Sequence, residues 1–220
     1  MSTNFKNRIV TSIFLITLLI LMILYSYIMI ISLIIISLIS WIEFYALISK
    51  IIKKNNIKDK FLRFFYKTIS LCYLSSLVYL ILIIESDLSN LKVYLIYSIL
   101  VSIMSDIGGL VFGKTFKGRK LTKISPNKTV SGSIGSFIFS IFLVPFFYQE
   151  FVNENLLVLL ILTISISLIS QLGDIFISFL KRKAKVKNTS DILPGHGGIL
   201  DRIDGIIFSI PCGIYLFIIF

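Results

Sequence analysis

An early apolar segment is too long for a single membrane crossing. No charged residue occurs in the 34 residues 9–42. One helix needs about 20 residues to cross the hydrocarbon core of a bilayer, so this segment is predicted to form two spans that turn near residues 25–27. A cleaved signal peptide is the competing interpretation, because Lys6 and Arg8 precede the run. The run is longer than such peptides have, and no A-x-A-like site follows it.

Five more apolar segments follow. They cover residues 68–84, 93–112, 130–148, 156–180 and 206–220. The whole chain is 56% hydrophobic and 15% charged, whereas soluble domains carry about 25% charged residues. The sequence therefore predicts an all-α integral membrane protein with about seven transmembrane helices.

The positive charges sort by loop and predict the orientation of the chain. The net charge is +11, from 22 Lys and Arg against 11 Asp and Glu. Two cations precede the first span, and seven, six and six fall in residues 50–67, 114–128 and 181–202, with Lys92 remaining. Because cytoplasmic loops are enriched in Lys and Arg, the N-terminus and these loops are predicted to be cytoplasmic. Topology and anionic head groups account for the cations, so no nucleic-acid partner is expected.

Glycine is distributed unevenly. All 12 glycines lie from Gly108 onward, and most cluster in two of the basic regions. We therefore predict that residues 1–112 form a transmembrane anchoring region and residues 113–220 a catalytic transmembrane region, within one continuous membrane domain.

Several carboxylates lie within or beside predicted spans, where ionised groups are costly and often functional. Asp174, Ser178 and Lys181 follow helical spacing and would share one face. Asp201 and Asp204 are likewise predicted to share a face at the start of the last span. Carboxylate and hydroxyl oxygens beside cations suit Mg²⁺ and a phosphate ligand. The alternative to a metal or phosphate site is that these acids form structural salt bridges between helices.

A glycine-rich loop lies between these acids. It holds Gly195, Gly197 and Gly198 around His196, the only histidine of the chain. Glycines at this spacing let backbone N–H groups approach a phosphate closely. Arg202 is one of few arginines in a lysine-rich chain, and a planar bidentate donor suits phosphate.

An upstream cluster allows two interpretations. Glycines follow Asp106 on the predicted helix, and a turn then carries Ser125, Lys128 and Thr129. The turn could place Lys128, Thr129 and backbone amides on a polyphosphate. Tight helix packing by the glycines, with an ordinary basic loop, explains the same residues.

Several of these strings resemble the pattern of a known family. The longest reads Ser-Phe-Leu-Lys-Arg at 178–182, then Lys187, then Leu-Pro-Gly-His-Gly-Gly-Ile-Leu-Asp-Arg-Ile-Asp at 193–204. It resembles the signature of the phosphatidate cytidylyltransferase (CDP-diacylglycerol synthase) family. Residues 106–113 with 125–129 resemble the family's second cytoplasmic motif, residues 173–174 its metal-binding helix, and residues 41–45 its weaker early pattern.

The resemblance implies an enzyme that transfers CMP from CTP to phosphatidic acid in the cytoplasmic (inner) membrane of a bacterium. The products would be CDP-diacylglycerol and pyrophosphate. Mg²⁺ at two sites is expected, and a homodimer is compatible with this assignment. The expected catalytic residues are Asp174, Lys181, His196, Asp201 and Arg202. The expected CTP and phosphate ligands are Ser125, Lys128, Thr129, Arg182, Lys187, Gly195, Gly197 and Gly198. The expected metal ligands are Asp174, Ser178, Asp201 and Asp204.

The chain departs from the family pattern at three positions. Asn188 and Ser131 stand where the family usually has acidic residues, and Ile177 stands where it usually has Glu. An impaired family member is therefore one alternative. A CTP-dependent enzyme acting on another lipid, such as an isoprenoid alcohol or an ether lipid, is a second. A transporter is a third, although it would not explain the glycine-rich loop.

Overall fold

A computed structural model describes residues 3–53, 56–122, 125, 128–151 and 155–219. The helices are α1 (Thr3–Leu24), α2 (Ser26–Ile51), α3 (Ile57–Ser86), α4 (Lys92–Thr115), α5 (Val130–Ile141), α6 (Val144–Phe147), α7 (Leu156–Lys183), α8 (Leu200–Ile203) and α9 (Ile206–Ile219). Within these ranges there is no strand, only isolated β-bridges. The predicted all-α fold is confirmed.

The helices have the length and composition of membrane spans. Six stretches of the described chain qualify, the first being Ser26–Ile51 and the last Leu200–Ile219. In α1 the apolar part, Ile9–Met22, is shorter. The predicted turn near residues 25–27 is confirmed, because Tyr25 alone separates α1 from α2. The protein is a multi-pass integral membrane protein.

The chain divides into two compact units that do not follow its two halves. Unit 1 comprises Met1–Leu82 and Leu180–Ile203, and unit 2 comprises Ile83–Phe179 and Asp204–Phe220. The first boundary falls within α3 and the next within α7. The functional division at residue 112 stays a prediction, since it concerns roles and not contacts.

In unit 1, α1 packs against α2, and α2 packs against α8. The short helix α8 ends at Ile203, and Asp204 lies in the turn before α9. The predicted last span thus begins with a short helix that carries Asp201 and a turn that carries Asp204. That the two carboxylates share one face stays a prediction. In this turn Gly205 N donates to Asp204 Oδ1 at 3.0 Å.

Unit 2 has an apolar core at the first turns of α4. Tyr97 is fully buried there, and Phe151 and Phe217 stack with an interplanar angle of 2°. Buried hydroxyl pairs extend the same packing, including Ser102 with Ser170 at 2.7 Å. Lipid tails are as apolar as the side chains, so there is no hydrophobic driving force between helices in a membrane. Hydrogen bonds and close packing hold the helices together instead.

The upstream glycines bring α4 and α5 into backbone contact. A Cβ on Gly108 would overlap Gly135 O, and a Cβ on Gly132 would lie 2.8 Å from Gly109 O. Gly113 also faces α5, where a Cβ would lie 3.3 Å from Thr129 Oγ1. Helix packing therefore accounts for these glycines.

Gly135→Ala is expected to destabilise the protein by about 1–3 kcal/mol, the usual cost of overpacking a tight interface. The added methyl group would lie against Phe112 and 2.7 Å from Gly108 O, which belongs to the backbone and cannot move aside. Thermal unfolding of the detergent-solubilised protein measures the effect. Ile134→Ala is the control, because Ile134 is 53% exposed on the same helix. Equal melting of both variants would contradict the packing role.

Candidate functional site

The glycine-rich loop of unit 1 lies in the segment between α7 and α8, just before α8, and its backbone folds back to form a turn. Leu193 and Gly197 form an isolated bridge, in which Leu193 N donates to Gly197 O at 2.8 Å. Gly195 and Gly197 have φ values of 77° and 88°. Side chains other than glycine rarely adopt these values, so the predicted glycines permit this turn.

A buried glutamate fixes the end of this loop. Glu43, in α2, is 2% exposed. Its Oε1 accepts from Ser190 Oγ at 2.5 Å and Ile199 N at 3.0 Å. Its Oε2 accepts from Thr189 Oγ1 and Leu200 N, both at 2.8 Å. The carboxylate therefore ties residues on both sides of the loop to α2.

Asp201 forms a second acceptor beside Glu43. Its Oδ1 accepts from Lys181 Nζ at 2.7 Å, and its Oδ2 accepts from Thr189 N at 2.9 Å and Gly198 N at 3.1 Å. The side chains of Lys181 and Asp201 are only 12% and 7% exposed. Such a buried pair is costly to break, because either partner alone would be an uncompensated charge.

Thr189 links the two carboxylates. Its Oγ1 lies 2.8 Å from Glu43 Oε2 and 3.1 Å from Asp201 Oδ2. Gly198 lies in the same place, since a Cβ there would meet Thr189 Oγ1 and both Glu43 oxygens. We call Glu43, Lys181, Thr189, Ser190 and Asp201 the carboxylate network.

His196 and Arg202 complete the loop. His196 Nδ1 lies 2.5 Å from Thr11 Oγ1 of α1, and its Nε2 lies 3.4 Å from Ser12 Oγ. Arg202 donates from Nε and Nη2 to His196 O at 3.2 and 2.5 Å. Each residue thus has a structural contact, and Arg202 retains further N–H groups for an anion.

The loop presents cations around the carboxylate network. Arg182, Lys187 and Arg202 are all exposed. Asn188 is exposed too, and its side chain lies against Gly197, where a Cβ would be 3.1 Å from Asn188 Cγ. The predicted residues Lys181, Arg182, Lys187, His196 and Arg202 are thus all placed in unit 1.

Unit 2 holds Asp174, which contacts Lys128 and Ser178. Asp174, in α7, forms a salt bridge through Oδ2 with Lys128. Ser178 Oγ donates to Asp174 Oδ1 at 3.4 Å, as the helical spacing predicts. The side chains of Lys128 and Asp174 are partly exposed. Ile177, one of the departures from the family pattern, is buried in the same helix.

Hydrogen bonds stabilise the turn before α5. Lys128 N donates to Ser125 O at 3.0 Å. Thr129 caps α5, because its Oγ1 accepts from Gly132 N at 3.0 Å. Ser131 Oγ donates to Lys117 O at 3.1 Å. The turn therefore orients Lys128 toward Asp174, while Thr129 serves the helix N-terminus.

The expected metal ligands Asp174, Asp201 and Asp204 differ in how accessible their oxygens are to a metal ion. Asp174 and Ser178 present carboxylate and hydroxyl oxygens, the hard donors that Mg²⁺ prefers, beside one lysine. Both oxygens of Asp201 already accept from protein donors. Asp204 is buried and accepts from Gly205 N. The described residues include no group of three or more His, Cys, Asp or Glu side chains that could hold a metal. Both oxygens of Asp174 also have protein partners, Ser178 and Lys128, but its side chain is 24% exposed against 7% for Asp201. Asp174 is thus the more accessible of the two carboxylates.

Sequence reasoning left Glu43 and Thr189 out of the candidate site. Glu43 carried a signal, since it is an acid inside an apolar helix, where charge is costly. Thr189 carried none, because its role depends on Glu43, 146 positions away.

The fold defines a multi-pass membrane protein whose glycine-rich loop is flanked by exposed cations, and comparison with known proteins places it in a family. The model of the cytidylyltransferase family matches residues 1–220. The chain belongs to that family.

Individual relatives agree with this assignment. Proteins named phosphatidate cytidylyltransferase from Staphylococcus haemolyticus and Staphylococcus aureus are each 45% identical to this chain over 121 residues. One from Staphylococcus saprophyticus is 46% identical over the same length. Each match covers 54% of this chain and 46% of the relative. The chain thus matches about half the length of these relatives.

Proposed function

We propose that the protein is a phosphatidate cytidylyltransferase of a bacterial cytoplasmic membrane. The observation that carries the proposal is the glycine-rich loop, whose backbone N–H groups donate to the carboxylates of Glu43 and Asp201. Three cations beside it stay exposed, namely Arg182, Lys187 and Arg202. A rigid loop with outward cations is suited to a polyphosphate. The names of the relatives support CTP and phosphatidic acid as substrates.

The reaction needs charge neutralisation more than proton transfer. An oxygen of the phosphatidic acid phosphate attacks the α-phosphorus of CTP, and the bond to the β-phosphate breaks. Pyrophosphate leaves, and CDP-diacylglycerol forms. Because the nucleophile is already an anion, no strong general base is required. Arg182, Lys187 and Arg202 would bind phosphate oxygens, and bound Mg²⁺ would neutralise further charge.

The metal and phosphate roles expected for residues of unit 2 stay part of the proposal. Asp174 and Ser178 would ligate Mg²⁺, with Lys128 moving from the carboxylate to a phosphate. Metal roles for Asp201 and Asp204 remain part of the proposal, although each already accepts backbone donors. The N-terminus is placed in the cytoplasm, because the basic loops would then follow the positive-inside rule.

CTP labelled with ³²P at either the α- or the γ-phosphate tests the proposal, because only the α-phosphate should be transferred to the lipid. The purified protein is incubated with Mg²⁺, labelled CTP and a panel of lipids: phosphatidic acid, diacylglycerol, an isoprenoid alcohol and an ether-linked phosphatidic acid. We expect α-³²P to enter the lipid phase only with a phosphatidic acid, and γ-³²P to remain in water as pyrophosphate.

The controls separate the alternatives. Transfer of the γ label would indicate a lipid kinase, and labelling of the isoprenoid alcohol would indicate another lipid substrate. Removal of Mg²⁺ with EDTA is expected to stop transfer, and added Mg²⁺ to restore it. No transfer of either label to any lipid would overturn the proposed function.

A further inference from the structure

A basic pocket lies in unit 1, apart from the carboxylate network. Its lining includes Lys50 in α2, Asp59 in α3 and Lys183 in α7. Lys53 and Lys185 line it from two residues beyond the ends of α2 and α7. Its volume is about 440 Å³. Four lysines and one aspartate give the lining a net charge of +3. This charge and size suit a phosphate-bearing anion.

The pocket lies where a membrane span ends. The span formed by α2 finishes at Ile51, and Ile51 and Ile52 line the pocket beside the lysines. Its lining therefore combines aliphatic surface with positive charge. A glycerophospholipid presents the same combination at the membrane interface, with a phosphate next to its glycerol and acyl chains.

The backbone at Lys185 is the second observation. Lys185 N donates to Arg182 O and Val186 N donates to Lys181 O, which is the hydrogen-bond pattern of a Schellman helix end. Lys185 occupies the left-handed position, with φ 58°. Glycine is usual there, because other residues are strained. In this chain the position is occupied by Lys185, which lines the pocket.

We propose that this pocket binds the phosphate group of an anionic ligand, and that a membrane glycerophospholipid supplies it. The positive-inside bias explains why lysines occur in cytoplasmic loops, but not why they converge on one cavity or why one of them has a left-handed backbone conformation. The proposal goes beyond the transferase function, since none of the lining residues belongs to its proposed machinery.

Native mass spectrometry of the full chain in detergent tests the proposal. The protein is titrated with dioleoylphosphatidylglycerol and, separately, with dioleoylphosphatidylcholine. We expect the wild type to retain phosphatidylglycerol in preference. Lys185→Gly should weaken that retention about fivefold, the factor for one basic side chain near an anionic partner. Its thermal stability should be no lower than that of the wild type, because glycine suits this backbone.

Lys60→Gln is the matched control. Lys60 is an exposed lysine of α3 that does not line the pocket, so its loss should leave lipid retention within about twofold of the wild type. Equal retention by wild type and Lys185→Gly, or an equal loss in both variants, would overturn the proposal.

Competition identifies the source of the phosphate. The titration is repeated with millimolar inorganic phosphate. If phosphate leaves the bound lipid in place, the site takes a lipid head group, as proposed. If phosphate releases the lipid from the wild type, the pocket binds phosphate but its ligand is a soluble anion, which overturns the lipid assignment alone. Neither result depends on CTP turnover, so the failure of this proposal and that of the transferase function are distinguishable.

Discussion

Glu43→Ala is expected to loosen the glycine-rich loop and to abolish CMP transfer. The substitution leaves three donors without an acceptor: Ser190 Oγ, Ile199 N and Leu200 N. Thr189 Oγ1 loses Glu43 but keeps Asp201 Oδ2 at 3.1 Å. Each donor left unsatisfied costs about 1–3 kcal/mol, so we expect a total loss of at least about 3 kcal/mol. Limited trypsin digestion measures the effect, because Lys185 and Lys187 lie just before the tethered residues. Cleavage there should accelerate more than about tenfold.

Two further variants of α2 sharpen this test. Glu43→Gln keeps the size of the side chain but turns an amide N–H₂ toward two donors, so we expect an intermediate effect. Ile42→Ala is the matched control, because Ile42 precedes Glu43 and is 57% exposed. Wild-type digestion and turnover in Glu43→Ala would show that the loop does not depend on this carboxylate.

Asp201→Asn is expected to lower both stability and transfer. The amide cannot neutralise Lys181, whose side chain is 12% exposed. If its oxygen keeps Thr189 N and Gly198 N, which share Oδ2 in the wild type, its N–H₂ group faces the ammonium. Removing one partner of a buried ion pair typically costs about 3–5 kcal/mol. Chemical unfolding in detergent measures the loss, and the labelled CTP assay measures transfer.

The double variant Lys181→Met with Asp201→Asn separates the roles of the pair. Without the buried ammonium, stability should largely return. Recovery of transfer with stability would mean that Asp201 only positions the loop, whereas absent transfer in a stable protein would support a direct role in metal or phosphate binding. Unchanged stability in Asp201→Asn alone would contradict the structural role of the pair.

Much of the fold follows from local sequence patterns. The uncharged run 9–42 predicted two helices, and Tyr25 is the residue between them. The spacing of Asp174 and Ser178 predicted their contact within α7. Such patterns succeed because hydrophobicity and helical periodicity are properties of neighbouring residues.

The partners of the charged residues could not be predicted in this way. Asp174 pairs with Lys128 and Asp201 pairs with Lys181, whereas helical spacing had placed Lys181 beside Asp174. The upstream glycines allowed two interpretations until their backbone contacts were known. Hydrogen bonds and ion pairs between distant segments depend on how the helices pack, which no local pattern records.

The sequence by itself therefore determined that this chain is a helical membrane protein, that its basic loops carry a glycine-rich phosphate-binding candidate, and which family it resembles. Only the tertiary structure decided what holds that loop. Glu43 accepts from residues 146 to 157 positions away. Burial of one carboxylate requires donors to converge on it, and that convergence exists only once the chain has folded.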